Sequence, residues 1–340
     1  MTNRIPYSDA LAAQPAALAQ VAERVRCRLA DPELPLAGDR PVFVGIGASY
    51  CAAAVGAYLL QRRGIAAIRA TPGQVVPGSP VPGDFVIAIS QGGRSAETVQ
   101  VLTDWESVPS AGVVNVSGTP VLERVHTPIG LGDAVDSYAS TVGFTGTVVA
   151  LSMLAERWNA ATVDPLWSDA LGQVFGAVDR AQADIAALAN ALEDAATFDI
   201  VGSGISVGIA EEAALLVREA VNVPATGFDT RTYLHGPMES AGGGAHIFFG
   251  GDREARAAAA LAQRGHRVAL MTSEHSRHAD ELQVAGGHVI SFDAASEARR
   301  ALIEIVLVQY LVLHLAAARL RDIDTFVYSQ DDTKIGEQTE

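Results

Sequence analysis

Two cysteines, one lysine and 6% aromatic residues are all that the 340 positions contain of these types. Cys27 and Cys51 form neither a metal-ligand spacing nor a disulfide framework, which excludes small cross-linked scaffolds and fits a reducing compartment. Positive charge is also short. Lys and Arg total 24 against 39 Asp and Glu, for a net charge of −15. Nucleic acid selects basic surfaces, so it is excluded as the expected partner. An anionic ligand would have to be held by local amides and hydroxyls. No long uncharged apolar run is present. The longest candidate, residues 301–320, contains Glu304, Gln309, His314 and Arg319 and reads as a largely buried helix, not a membrane span. The N-terminal residues are polar and lack the basic-then-apolar order of a signal peptide. The expectation is a soluble, cytoplasmic chain with no membrane partner.

What the sequence does hold is apolar: 49% hydrophobic and 19% charged residues, enough to build a sizeable core in one large α/β domain or two smaller ones. The stretch that organises it runs from Phe85 to Gln100. Phe85–Ile89 is an unbroken apolar run, as a buried parallel strand would be. It breaks into Ser90-Gln91-Gly92-Gly93-Arg94-Ser95, after which a helix is expected with Ser95 as N-cap and Glu97 in the first turn. Free backbone N–H groups and the positive end of the helix dipole converge at such a turn, and Ser90 and Ser95 add donors. The plain alternative is a tight strand-to-helix connection with no ligand.

A second stretch resembles it. Val44-Gly45-Ile46-Gly47-Ala48-Ser49 follows an apolar strand and precedes a helix. The same Val-Gly-x-Gly-x-Ser pattern recurs at Val201-Gly202-Ser203-Gly204-Ile205-Ser206, an offset of 157 from Gly45 to Gly202. Recurrence in one structural context reads as an internal duplication. Strands alternate with helices throughout, so a mostly parallel sheet covered on both faces is expected in each half. A long, mostly helical stretch over 166–190 joins them. The glycine turns also invite a dinucleotide reading. Tyr50 occupies the third glycine position, however, and no acid follows Ile68 where a ribose-binding carboxylate belongs.

Three further residues carry chemistry. Residues 210–220 read as a continuous helix in which Glu212 and Glu219, seven apart, share a face with apolar Leu216. Carboxylates among apolar neighbours are candidates for a raised pKa and general acid/base work. A solvated face paired with Arg218 is the alternative. Sixteen residues after Glu219 stands His235, before Gly236-Pro237, where the backbone must turn and expose the ring. Lys334 is the chain's one lysine; unlike arginine, an ammonium can give up its proton or act as a compact donor.

With these motifs in place, the chain resembles the sugar isomerase (SIS) family over about residues 35–336. The likeness is to the double-SIS isomerase part of glucosamine-6-phosphate synthase and to stand-alone sugar-phosphate isomerases, deaminases and deglycases. Gly45–Ser49 is similar to the family's first phosphosugar loop, including Gly47 and Ser49. Ser90, Gln91, Gly92, Gly93 and Ser95 are similar to its phosphate loop, commonly Ser-Gln-Ser-Gly-Glu-Thr. Tyr138-Ala139-Ser140-Thr141 resembles its Val-Ala-Ser-Thr segment, which puts Ala139 and Ser140 at the sugar. Glu219 falls on the proton-shuttling glutamate, His235 on the ring-opening histidine and Lys334 on the catalytic lysine of the tail. The departures are Gly92 for a frequent serine, which Arg94 could offset with charge, Val142 for the usual lysine, Leu234 for a basic residue and Thr232 for an acid.

The resemblance implies an α/β fold of two Rossmann-like SIS domains, each a mostly parallel sheet flanked by helices. The expected division is an N-terminal helix (1–34), a first SIS domain (35–160), a connecting helix (161–195), a second SIS domain (196–320) and a tail over the active site (321–340). It implies a phosphosugar ligand, no cofactor, no metal, and a homodimer in which the histidine enters the neighbouring subunit's site. The implied reaction is phosphosugar isomerisation, or isomerising deamination of an aminosugar 6-phosphate, through a cis-enediol(amine). A fructosamine-6-phosphate deglycase and a non-catalytic sugar-phosphate sensor are the alternatives; a sensor would not need Glu219, His235 and Lys334 together. No amidotransferase domain is recognised ahead of the first glycine loop, so neither a complete synthase nor glutamine use is expected. In the tail, Phe326-Val327-Tyr328 is the one contiguous apolar segment and is expected to anchor it.

Overall fold

Ten strands form two five-stranded sheets, and among the described residues each named strand pair is parallel. The computed structural model describes residues 4–328 and 332–336, so parts of the expected N-terminal segment and of the tail (1–3, 329–331, 337–340) lie outside the described residues. Two compact units result. The first joins Ala12–Asp169 to the described residues of Met1–Ile5 and Val327–Glu340; the second joins Pro6–Leu11 to Ala170–Phe326.

In chain order the first half holds α1 (Tyr7–Leu29), β1 (Pro41–Val44), α2 (Ala48–Gln61), β2 (Ile68–Ala70), β3 (Phe85–Ile89), α3 (Ala96–Asp104), β4 (Ser110–Val114), α4 (Pro120–Arg124), β5 (Thr127–Gly130) and α5 (Val142–Arg157). The second holds α6 (Trp167–Arg180), α7 (Gln182–Leu192), β6 (Phe198–Gly202), α8 (Ser206–Leu216), β7 (Ala225–Asp229), α9 (Thr230–Leu234), β8 (Ala245–Phe249), α10 (Asp252–Ala262), β9 (Arg267–Thr272), α11 (Arg277–Val284), β10 (His288–Ser291) and α12 (Glu297–Ala318). The first sheet runs β2-β1-β3-β4-β5. The second, read from the matching edge, runs β7-β6-β8-β9-β10, which is the same order of positions.

The apolar runs become the central strands. β1, β3 and β4 are buried along their whole length, as strands covered on both faces must be. On one face, Val42, Val44, Val86 and Ala88 pack with Val99, Leu102 and Trp105 of the α3 region. Elsewhere Phe85 meets Trp158 edge-on at 5.1 Å, and α2 can approach β1 because Gly56 leaves room for the Phe43 ring. In the second unit α12, 22 residues long, is apolar enough by length and composition to cross a membrane, but 72% of its most apolar window is buried in the protein. It serves there as a core helix against α7 and α8.

Four elements differ from the sequence reading. The long helix expected over 166–190 is two, broken at Ala181 between α6 and α7. Strands β5 and β7 are not foreseen; each lies at a sheet edge and carries a residue that strand patterns disfavour, Pro128 and Gly227. An edge strand tolerates the proline. Finally, the helix expected through 220 stops being an α-helix at Leu216 and continues as a π-helical turn, Val217–Val221.

Candidate functional site

In a sheet of order 2-1-3-4-5 the chain leaves β1 towards one side and β3 towards the other, so a crevice opens at their carboxyl ends. Both predicted loops sit there in the first unit. Gly45–Ser49 follows β1, Ser90–Ser95 follows β3, and β1 pairs directly with β3. The first loop needs its glycines. A Cβ on Gly45 would lie 2.7 Å from the Ser49 carbonyl carbon, and Gly47 takes φ +58°. In the second loop Gly93 takes φ +63°, and a Cβ there would lie 2.0 Å from Thr119 Oγ1. Gly92 is different, since a Cβ would meet nothing within 4 Å. Sterics do not demand glycine there.

The hydroxyls divide into two groups. Ser95 acts as the expected N-cap: its Oγ accepts from Thr98 N at 3.3 Å and donates to Glu97 Oε2 at 3.0 Å. The Ser140 hydroxyl donates to Asp136 Oδ2 at 2.9 Å and accepts from Phe144 N at 3.0 Å. Among the described residues, no protein partner is found for the Ser49 or Ser90 hydroxyl. Donors free for an incoming anion thus include Ser49 and Ser90, while Ser95 and Ser140 are engaged in shaping the loops.

Asp136 is a residue of the candidate site that the sequence reading does not single out. It is buried, yet its two oxygens accept from Thr141 N (2.9 Å), Thr141 Oγ1 (2.7 Å), Gly143 N (3.1 Å), Ser140 Oγ (2.9 Å) and Gln91 Nε2 (3.0 Å). It therefore caps α5 and links the Tyr138–Thr141 segment to the Ser90–Ser95 loop. Gly143 permits the approach, because a Cβ there would come within 2.4 Å of Asp136 Oδ2 and 2.7 Å of Gln91 Nε2. From outside, Arg4 hydrogen-bonds the Ser137 carbonyl and stands over the Tyr138 ring at 5.9 Å. Nothing local marks Asp136 in the sequence: it stands four residues before Ser140 and well ahead of Thr141, the position at which a helix-start rule looks for a cap.

Lys334 belongs to the first unit as well. Its backbone forms an antiparallel bridge to Ser95, flanked by Ala96 N to Thr333 O at 3.2 Å and Ile335 N to Arg94 O at 2.8 Å. Arg94 Nη1 reaches the Gly336 carbonyl at 3.4 Å, so it binds the tail. The expected anchor is not the one used. Phe326, Val327 and Tyr328 are 45%, 69% and 83% exposed, whereas Ile335 packs on the α3-side core. A short polar tail lacks the apolar area to dock by side chains, so main-chain pairing to the loop does the work.

The second unit carries Glu219 and His235. Glu219 lies in the π turn, which ends at Asn222 in the left-handed conformation. Turns closed by i→i+5 bonds hold more than 3.6 residues, so positions beyond them are rotated relative to an unbroken α-helix. Glu212 is buried and Glu219 half-buried. His235 caps the C-terminus of α9 and is exposed on the turn before Gly236, which takes φ +158°.

No family model matches the sequence. The isomerizing glutamine–fructose-6-phosphate aminotransferase of Pyrococcus horikoshii is 30% identical over 231 residues, which is 61% of this chain and 36% of that protein. Its Caulobacter vibrioides counterpart is 27% identical over 319 residues, 84% of this chain and 50% of that protein. The chain spans about a third to a half of the length of these curated relatives. Among solved structures, the C-terminal domain of glucosamine-fructose-6-phosphate aminotransferase from Francisella tularensis superposes with a TM-score of 0.80 at 19% identity, covering 94% of this chain and 97% of that one. Tagatose-6-phosphate ketose/aldose isomerase from Escherichia coli gives 0.76 at 16% identity, covering 96% and 97%. Both units have the SIS fold.

The two SIS units are not chemically alike. Gly202 meets the Ser206 carbonyl as Gly45 meets that of Ser49, and Gly204 takes φ +60° as Gly47 takes +58°. Yet two loop groups of the second unit are bound by carboxyl side chains. Ser206 Oγ donates to Glu304 Oε1 at 3.0 Å, and the Gly251 amide donates to Glu254 Oε2 at 3.0 Å. Burial pushes the Glu304 carboxyl up to about 8, outweighing the lowering by Arg300 and Ser206. Loop donors that stay open in the first SIS unit are occupied in the second.

Proposed function

We propose that the chain is an enzyme acting on a sugar 6-phosphate, either as an aldose–ketose isomerase or as an isomerising aminosugar-6-phosphate deaminase. One observation carries the reading: a strand–loop–helix anion cradle, Ser90–Ser95, lies beside a second glycine loop, and the segment bearing the chain's one lysine pairs with its main chain. Relatives named for fructose-6-phosphate chemistry support the substrate class.

In this reading the phosphate sits at the amino end of α3, taking hydrogen bonds from loop amides and from the Ser49 and Ser90 hydroxyls. His235 assists opening of the sugar ring. Glu219 takes the proton from C2, leaving a cis-enediol or enediolamine, and returns it to C1; the reverse direction uses the same groups. Lys334 stabilises the negative charge that develops on the oxygens at C1 and C2. The protein works as a two-fold dimer in which the exposed His235 serves the partner's site.

The test is a panel of free sugars, 6-phosphosugars and 6-phosphoaminosugars, assayed for ammonia and for ketose and aldose products, with deuterium exchange at C2. Turnover of phosphorylated members only, with exchange lost in Glu219→Gln, supports the reading. Ammonia release separates deaminase from isomerase, and a free amino acid product identifies a deglycase. Binding without turnover across the panel would leave a sensor and overturn the enzymatic reading.

A further inference from the structure

His246 lies buried in β8, and its two ring nitrogens reach opposite ends of the segment that carries His235. Nε2 is 3.0 Å from the Ala241 carbonyl oxygen. That oxygen can only accept, so Nε2 carries a proton and donates it. Nδ1 is 3.0 Å from the Tyr233 hydroxyl and 3.4 Å from Asp199 Oδ2, and the hydroxyl is 3.4 Å from the same Asp199 oxygen. Tyr233 belongs to α9, just ahead of the turn, and Ala241 closes the short 3-10 turn Pro237–Ser240 behind it. Between these fixed points Leu234, His235 and Gly236 are exposed, so the position of the turn is set at its ends.

The near end is rigid for a second reason. The Tyr233 ring is fully buried, 5.4 Å from Phe228 and edge-on to Phe248 at 5.9 Å. Burial and the Asp199 charge raise the phenol pKa, so the hydroxyl keeps its proton as a donor. A buried polar network of this kind holds one geometry when every member is paired.

We infer that His246 is a positioning residue that clasps both ends of the His-Gly-Pro turn and thereby sets where His235 presents its imidazole. The catalytic consequence rests on the proposed role of His235; the clasp itself does not. A core histidine that merely satisfies its neighbours would affect stability alone, whereas a clasp acting through His235 must fail selectively.

Two conservative variants test it. Tyr233→Phe removes one hydroxyl and keeps the ring; His246→Gln keeps a donor towards Ala241 and gives up the Nδ1 side. Amide hydrogen exchange over 233–241 is expected to accelerate in both, with the first SIS unit unchanged. Assayed on glucosamine 6-phosphate and fructose 6-phosphate, turnover is expected to fall on the order of tenfold, the worth of about one hydrogen bond, at unchanged affinity. Combined with His235→Ala, neither variant should cost anything further, since residues acting through one another are not additive. Native exchange rates in the segment overturn the clasp whatever the activity. Losses that add in full to that of His235→Ala overturn its action through His235. If His235→Ala turns over normally, the role given to His235 in the proposed function falls and the catalytic consequence with it, while exchange still decides the clasp.

Discussion

Gln91 Nε2 donates to Asp136 Oδ2 at 3.0 Å, so a buried acid holds a side-chain amide of the Ser90–Ser95 loop. The groups facing Asp136 are all donors. Asp136→Asn turns one acceptor oxygen into a further donor and leaves buried N–H or O–H groups unpaired, each costing about 1–3 kcal/mol. Urea unfolding should show a loss on that scale. Phosphosugar affinity, measured calorimetrically at a temperature where the variant is folded, should fall as Gln91 and Ser140 lose their common tether. Unchanged affinity would mean the loop holds its shape without Asp136.

Gly92 offers the opposite change. A Cβ at this position meets nothing within 4 Å, so Gly92→Ser can add a hydroxyl to the loop without displacing a neighbour at Cβ. A hydrogen bond to a charged group is worth about 1.5–3 kcal/mol, less the ordering of the new side chain. Affinity for a 6-phosphosugar should rise about threefold to tenfold, and affinity for the free sugar should not change. A gain for both would place the new hydroxyl away from the phosphate.

Glu304 gives the stability a pH dependence. Its carboxyl titrates near 8 in the folded protein against 4.5 as its ordinary value. Between those two pH values the unfolded chain has lost this proton and the folded one retains it. The contribution is therefore fully present below pH 4.5 and is lost as pH rises through about 8. Glu304→Gln keeps the acceptor for Ser206 without the titration. Denaturant midpoints measured across that range should fall more steeply with pH for the native protein than for the variant. Parallel curves would show that Glu304 is ionised in both states.

A shared site can be rebuilt from broken parts. Glu219→Gln and His235→Ala should each lose about two to four orders of magnitude in turnover. After subunit exchange at equal mixing, a two-fold dimer with shared sites recovers about a quarter of the native sites. Activity that stays at the level of the parents, with exchange demonstrated by mass labelling, would put both residues in one subunit's site.

The sheets are readable because buried parallel strands are strongly apolar: Phe85–Ile89 is an unbroken apolar run, Phe198–Gly202 is broken only at Asp199, and both lead into glycine turns. Two of the four edge strands are not: β2 and β10 can be read, whereas β5 and β7 contain Pro128 and Gly227, which strand patterns disfavour. The glycines were legible because close approach and positive φ admit few other residues. The π turn was not, because hydrogen-bond register leaves no mark on residue type, and the seven-residue spacing of Glu212 and Glu219 assumed an unbroken helix. Asp136 escaped for a related reason. Its importance lies in five hydrogen bonds from residues distributed over two segments, and a single aspartate in a loop looks like any other.

The tail at residues 333–335 is attached to the loop by main-chain hydrogen bonds. A peptide bond looks the same whatever residue it joins, so this attachment is nearly blind to mutation. Side chains along it are free to drift over generations, apart from Ile335 in its apolar seat and whatever Lys334 is needed for. Proline is the exception. At position 335 it would abolish the N–H that reaches the Arg94 carbonyl, releasing the strap while leaving both SIS cores intact. Related chains should therefore differ widely in the wording of this tail while its path stays the same.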